Sequence, residues 1–219
     1  MPYMRQLAAM LTFLLLTPIA LALCSEDTLY QRFELLLGRK IVVIAAPGSP
    51  DWEYANSLAE ALASVGMPCR IMPDVEFDLG MLGDVNIILV GGPIANRATK
   101  VLQRNLSVMF YTEDNGVFMY AATVKLTGAQ WGAVNMEEIS GSWIVLLAGI
   151  TRNGTKAAVK AFLEARNLHH EVAIVRARDA GYSVYICLPA LSQAEKERRL
   201  MKPRGAGVVA VGLIELSDG

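Results

Sequence analysis

Residues 85–96 read VNIILVGGPIAN, an apolar run that stops at glycine and proline and leads into a short helical pattern. A strand with both faces covered has such a continuous apolar sequence. Gly91 and Gly92 allow backbone angles that a side chain forbids, and Pro93 cannot donate to a β ladder. Asn96 is placed to cap the first turn of the next helix. The stretch therefore predicts a buried strand, a glycine corner and a helix start.

A second corner repeats this pattern later in the chain. Residues 142–150, SWIVLLAGI, predict another buried strand ending at Gly149, and Gly154 and Thr155 open a long helix with a stripe of small residues. Residues 41–72 read strand, helix, strand, which predicts a right-handed crossover in a parallel sheet. Two such corners at the carboxyl ends of parallel strands would line a crevice, where open α/β sheets bind ligands.

The middle of the chain carries antiparallel patterns. Residues 107–111 and 117–124 flank Asn115-Gly116, and Asn-Gly between two apolar runs is typical of a β-hairpin. Residues 131–139 predict a further antiparallel strand. The predicted fold class is therefore α/β, with a mixed sheet that has a parallel βαβ core flanked by helices and an inserted antiparallel β meander.

Composition bounds the partners. The chain has 219 residues, 53% of them hydrophobic, and a net charge of -1. This length and apolar fraction can fill a core. The near-neutral charge gives no electrostatic reason to expect nucleic acid as a partner.

The first residues predict an export signal. Arg5 supplies the positive charge, residues 7–23 carry none, and Ala20-Leu21-Ala22 matches the small-x-small pattern before a cleavage site. An uncleaved anchor is the main alternative, because about 20 apolar residues span a bilayer. Contact with a membrane is expected only through this segment, if it is uncleaved. A lipid anchor on Cys24 is disfavoured, because Leu23 stands where a small residue is needed.

Export gives meaning to two further features. Cys69 and Cys187 each lie in a predicted strand and could form a disulfide in an oxidising compartment, although isolated cysteines are more often small core residues. Asn105 and Asn153 each begin an Asn-x-Ser/Thr glycosylation sequon.

Catalytic patterns are missing from the sequence. Ser49 lies in PGSP rather than in a GxSxG elbow, and His169-His170 sits at a predicted helix end, where histidine complements the dipole. The nucleotide motifs GxGxxG and GxxxxGK[ST] and the usual metal-ligand spacings do not occur. No catalytic residue, metal or cofactor is therefore predicted.

The glycine corners keep two interpretations. A strand that ends on glycine before a helix N-terminus can cradle an anion or another ligand. The favoured interpretation is a tight structural turn with a capping asparagine. Either use involves the same residues: Gly91, Gly92, Pro93, Asn96, Gly149, Gly154 and Thr155.

Three segments carry a family resemblance. VNIILVGGPIAN resembles the GGP-x-x-N corner of archaeal S-layer proteins and related surface proteins. WIVLLAGITRNGTKAAVKAF, residues 143–162, resembles the family's strand-to-helix segment, and EVAIVRARDAGYSVYI, residues 171–186, its closing hairpin. The resemblance implies a secreted module of the archaeal S-layer or pseudoperiplasm that packs and assembles with other surface proteins or with itself. The alternative is an exported ligand-binding protein or hydrolase that uses the crevice between the Gly91-Gly92 and Gly149 corners.

The expected organisation has four parts. They are a signal peptide over 1–22, an N-terminal arm or helix over 23–39, an S-layer-like α/β domain over 40–190, and a charged helix with a C-terminal strand over 191–219.

Overall fold

The computed structural model describes residues 38–113, 116–164 and 171–201, together with Leu36 and Leu168. Several predicted features lie outside the described residues: the export signal, most of the N-terminal arm, His169 and His170, and the strand expected over residues 208–216.

The described residues form strands and helices in the following order. The strands are β1 Lys40–Ala45, β2 Cys69–Pro73, β3 Val85–Val90, β4 Val108–Glu113, β5 Gly116–Ala121, β6 Val124–Thr127, β7 Trp131–Ile139, β8 Ser142–Gly149, β9 Val172–Arg178 and β10 Gly181–Leu188. The helices are α1 Pro50–Ser64, α2 Arg97–Leu102, α3 Arg152–Glu164 and α4 Gln193–Met201. Short 3-10 turns occur at Asp74–Glu76, Leu79–Met81 and Gln103–Asn105.

A seven-stranded mixed sheet is the centre of the fold. Its strand order is β10-β9-β7-β8-β3-β1-β2. Strands β2, β1, β3 and β8 are parallel to one another, whereas β7, β9 and β10 add antiparallel pairs. The predicted α/β class with a mixed sheet is confirmed. The parallel strands run as continuous apolar sequence because both faces of the sheet are covered.

Successive side chains of each strand enter two different cores. On β1, Val43 belongs to the core under α1 and α3, while its neighbour Ile44 belongs to the core on the opposite face. That second core is closed by α2 and by a separate three-stranded sheet of order β4-β5-β6. The protein therefore has three layers, with the large sheet in the middle.

The small antiparallel sheet differs from the predicted meander. The predicted hairpin is confirmed in its two strands, β4 and β5, since Glu113 pairs with Gly116. Residues 117–124, however, are broken by a second two-residue turn at Ala122, which has a φ of 47°. Neither Ala122 nor Thr123 is among the residues that usually mark turns. The predicted third strand, β7, instead joins the large sheet between β8 and β9.

The start of α3 lies directly on the large sheet. A Cβ atom added at Gly154 would overlap the backbone of Trp131 in β7, and one added at Gly149 would overlap the backbone of Gly154. A Cβ atom at Gly132 would likewise overlap Gly154. Glycine is therefore required at these three positions by close approach of two backbones. Alanine continues this contact along α3 at Ala157, Ala158 and Ala161, all of which are buried.

A buried polar network joins α4 to the body of the domain. Glu137 of β7 and Lys196 of α4 are only 6% and 7% exposed and form an ion pair. Lys196 also donates to the Asn105 carbonyl at 2.9 Å, while Glu137 accepts from the Ser107 N–H at 2.6 Å. Asn135 donates to Glu137 at 2.9 Å. Such partners are needed because a buried charge without them is costly.

The strand order disfavours the possible disulfide between Cys69 and Cys187 within a single chain. Cys69 lies in β2 and Cys187 in β10, and these strands are the opposite edges of the seven-stranded sheet. Six strand spacings separate their backbones by about 29 Å, whereas a disulfide requires Cα atoms within about 7 Å. Cys69 is a free thiol, and its burial raises its pKa.

We expect Gly154→Ala to lower the free energy of unfolding by about 1–3 kcal/mol. Alanine gains about 1 kcal/mol of helix propensity over glycine, but the overlap with the β7 backbone cannot be relieved by a rotamer change. The free energies of unfolding of Gly154→Ala and of the control Gly38→Ala are measured by urea denaturation. Gly38→Ala is the control because a methyl group at Gly38 meets no atom within 4 Å. Equal stability of the two variants would contradict the close contact.

Candidate functional site

The two glycine corners meet at one edge of the sheet. Since β1, β3 and β8 are parallel, their carboxyl ends lie together, and a Cβ atom on Gly92 would be 3.5 Å from the Gly149 carbonyl oxygen. Between the corners is a cavity of about 250 Å³. It is lined by Ser49, Pro50, Asp51, Gly92, Pro93, Ile94, Ala95, Phe110, Val117, Gly149, Ile150, Thr151, Arg152 and Thr155.

Backbone N–H and carbonyl groups of the first corner form hydrogen bonds to other groups of the protein. The Gly91 N–H donates to the Leu147 carbonyl at 2.9 Å, and the Asn96 N–H donates to the Gly92 carbonyl at 2.9 Å. The Thr99 hydroxyl donates to the Gly91 carbonyl at 2.9 Å. Gly91 has a φ of 102°, which only glycine adopts without strain. These contacts are those of a tight turn, and they leave little of this corner to cradle an anion.

Asn96 holds this corner to two strand ends. Its Oδ1 accepts from the Thr99 N–H at 3.1 Å and so caps α2. Its Nδ2 donates to the Ile44 and Val90 carbonyls, both at 3.0 Å. Because Asn96 is 1% exposed, each of these groups depends on the others for its hydrogen bond.

Thr155 organises the second corner. Its Oγ1 accepts from the Gly149 N–H at 3.1 Å, and its own N–H donates to the Thr151 carbonyl at 3.0 Å. Thr155 is 2% exposed and stands at the cavity wall. With Gly154 pressed against β7 and β8, the end of β8 and the first turn of α3 form a fixed surface.

Asp51 is a functional candidate that sequence reasoning missed. It lies in the first turn of α1, lines the cavity and is 7% exposed. Its Oδ1 is buried and has no hydrogen-bond partner among the residues that the structure describes. A Cβ atom on Gly91 would be 2.5 Å from Asp51 Oδ2, so glycine is needed there to admit the carboxyl group. The only sequence signal was an Asp after Pro50 at a helix start, which is also ordinary helix-start chemistry.

Burial controls the protonation of Asp51. Loss of solvent raises the pKa of its carboxyl group, and the nearby Thr155 hydroxyl acts in the opposite direction with a smaller effect. Asp51 and Arg152 are the two ionisable residues that line the cavity. The other walls are largely apolar and come from Phe110, Val117 and Ile150.

The asparagines of the two sequons, Asn105 and Asn153, lie outside the cavity lining. Asn105 and Asn153 are exposed, but the hydroxyl-bearing residues of their sequons are buried. Ser107 Oγ accepts from the Leu191 N–H at 2.6 Å, and Thr155 is bound to the Gly149 corner as described.

Other site types find no support in the described ranges. No group of three or more His, Cys, Asp or Glu residues is arranged there to hold a metal ion. Ser49 donates its hydroxyl hydrogen to the Ala46 carbonyl at 2.7 Å rather than to a catalytic base. Within the same ranges, helices are too short or too polar to cross a membrane.

The fold and the site define a class of protein: a three-layer α/β module in which α2 and α3 each follow a glycine corner and a small cavity lies between the corners. The S-layer like family, outer domain, matches residues 35–166, which is more than half of the chain. The protein belongs to this family, and the resemblance seen in its sequence is confirmed. Strands β9 and β10 and helix α4 follow the matched residues. No curated protein gave a match to the chain.

We expect Asn96→Ala to lower the free energy of unfolding by about 2–4 kcal/mol, because it removes a helix cap and two hydrogen bonds to buried carbonyl groups. Asn96→Asp keeps the capping oxygen but replaces the Nδ2 donor with a carboxylate oxygen that faces two carbonyl oxygens. Its free energy of unfolding should therefore fall by at least as much. The stabilities of both variants, measured by thermal unfolding, are compared with that of the control Asn105→Ala, which alters an exposed side chain. Wild-type stability of Asn96→Asp would contradict the proposed bonds to Ile44 and Val90.

Asp51→Asn tests the buried carboxyl group through pH. A folded-state pKa above the unfolded value means that ionisation costs the native state stability at higher pH, and that this cost disappears once both states are protonated. The difference in unfolding free energy should therefore shift in favour of Asp51→Asn as pH rises from about 3 to 7. Asp78→Asn, at an exposed 3-10 turn, is the control. A difference independent of pH would refute the raised pKa.

Proposed function

We propose that this protein is an exported cell-surface module that acts by packing and assembly rather than by catalysis. The observation that carries the proposal is the match of the S-layer like family, outer domain, over residues 35–166. Two properties of the described residues support it. The layers are held by close backbone contacts, and the ionisable residues that line the cavity are Asp51 and Arg152, of which arginine does not lose its proton in proteins.

An apolar surface beside α2 is the region we propose for contact with other molecules. Its exposed side chains are Ile94 in the first corner, at 72%, and Val101 of α2, at 43%. Val75 is exposed in the turn Asp74–Glu76, which is bonded to α2 because Asp74 Oδ2 accepts from the Arg97 N–H at 2.6 Å. We propose that these exposed apolar side chains together form a contact for a protein partner. The expected partners are other surface proteins or further copies of this chain.

Export accompanies this function. We propose that residues 1–22 direct the chain out of the cytoplasm and are removed, that residues 40–190 with the following helix form the surface domain, and that β1, α1 and β2 make a right-handed crossover. The location implied by the resemblance is an archaeal S-layer or pseudoperiplasm. Glycans at Asn105 and Asn153 are part of the proposal. Their transfer would precede folding, because Ser107 and Thr155 are buried in the folded domain.

Cell fractionation with intact-mass analysis tests the export step. We expect the mature protein in the envelope or medium, shortened by the first 22 residues and heavier by any glycan. Recovery from the cytoplasm with residues 1–22 intact would end this proposal.

Charge substitutions test the contact surface. Ile94→Asp and Val101→Asp should reduce incorporation into the envelope fraction, or self-association in sedimentation experiments, because a carboxylate must be desolvated in an apolar contact. Val65→Asp is a matched control, since Val65 is 65% exposed but follows α1 on the other side of the sheet. Equal effects of all three substitutions would remove the surface beside α2 from the proposal.

A further inference from the structure

We propose that the cavity between the glycine corners binds a small polyhydroxylated ligand, with one hydroxyl donating to Asp51 and accepting from the first turn of α3. This site shares Ile94 with the contact surface beside α2, but the proposal does not rest on the packing function. A negative binding result would therefore leave the surface role untouched, and loss of export would leave the site intact in the purified protein.

The first observation is an unsatisfied buried oxygen. Nearly all buried polar atoms in proteins have a hydrogen-bond partner, yet Asp51 Oδ1 has none among the described residues. Asp51 is 7% exposed and lines the cavity. Oδ1 itself has almost no accessible surface, so a donor that enters through the cavity reaches it only with a shift of the Asp51 side chain, and its hydrogen bond would then remove this energetic cost.

Charge around the cavity selects the kind of donor. The first turns of α1 and α3 contribute Pro50, Asp51, Arg152 and Thr155 to the lining, so two positive helix ends and a guanidinium group disfavour a cation. An anion is disfavoured in turn by the Asp51 carboxyl group. A hydroxyl group is neutral and both donates and accepts hydrogen bonds. It can bind Asp51 and a backbone N–H of the α3 first turn at once, since such N–H groups lack acceptors within the helix.

Size and wall chemistry limit the ligand. A volume of about 250 Å³ lies below the usual range for sites of drug-sized molecules. Phe110, Val117 and Ile150 form apolar walls suited to the C–H groups of a sugar ring or a short polyol. Both a free monosaccharide and the terminal sugar of a surface glycan offer adjacent hydroxyl groups of this kind.

Gly92→Ala is the decisive variant, because it fills the cavity without a steric conflict. Its methyl group would lie 3.5 Å from the Gly149 carbonyl oxygen and 3.8 Å from Phe110 Cε1, which are ordinary contacts. Gly38→Ala is the matched control, since Gly38 precedes β1 and its added methyl meets no atom within 4 Å. Asp51→Asn then removes the charged acceptor while keeping the size of the side chain.

Saturation-transfer NMR and calorimetry on the purified protein provide the test. The probes are glycerol, free glucose, mannose and galactose, short oligosaccharides that end in these sugars, and inorganic phosphate as the anion. We expect polyol binding that falls by about tenfold or more in Gly92→Ala and in Asp51→Asn, the loss typical of a hydrogen bond to a charged group. Gly38→Ala should bind as the wild type does.

The outcomes separate the sources and decide the proposal. Binding of free sugars assigns a small-molecule site, and binding of the oligosaccharides alone assigns a site for the terminus of a glycan. Either result supports a site for a polyhydroxylated ligand. The proposal is overturned if no polyol binds, which would mean that water alone satisfies Asp51. It is also overturned if phosphate binds in preference to every polyol, or if Gly92→Ala and Asp51→Asn leave polyol affinity unchanged.

Discussion

The contact between two backbones, that of α3 and those of β7 and β8, sets the geometry on which the rest of the structure depends. It exists because Gly132, Gly149 and Gly154 leave no side chain between helix and sheet. The contact fixes Thr155 at the end of β8 and brings it beside Asp51, which α1 supplies from the neighbouring crossover. The wall of the cavity that Gly149 and Thr155 form is therefore positioned by this close packing.

Buried asparagine side chains form hydrogen bonds at several junctions between strands and helices. Asn96 joins β1, β3 and α2, while Asn86 accepts from the Trp143 N–H and donates to the Leu36 carbonyl. Asn135 accepts from the N–H groups of Ser107 and Val108 and thereby ties β7 to the small sheet. A fully satisfied buried polar group penalises every alternative arrangement of its partners. The three layers are therefore held in one register by directional bonds as well as by apolar packing.

Much of the frame could be predicted from the sequence because its signals are local. The apolar run into Gly91-Gly92-Pro93, the cap at Asn96 and the Asn-Gly hairpin each follow from a few adjacent residues. The missed features need partners far away in the chain. Glu137 looks like a lone carboxylate until Lys196 folds against it, and Asp51 looks like an ordinary helix start until Gly91 encloses it. The separation of Cys69 from Cys187 could not be predicted for the same reason, since the order of strands in a sheet does not follow from the sequences of the individual strands.

The strand order also determines when the domain can become stable. Pairs β1–β3 and β3–β8 join residues far apart in the chain, and β7, although made before β8, lies between β8 and the later strand β9. Contacts between residues so far apart in the chain form slowly, because the entropy of closing a long loop is lost before the contact contributes any stability. A nascent chain that has passed only β3 has unpaired strand edges open to other chains. The large sheet therefore cannot be complete until β9 and β10 have been made.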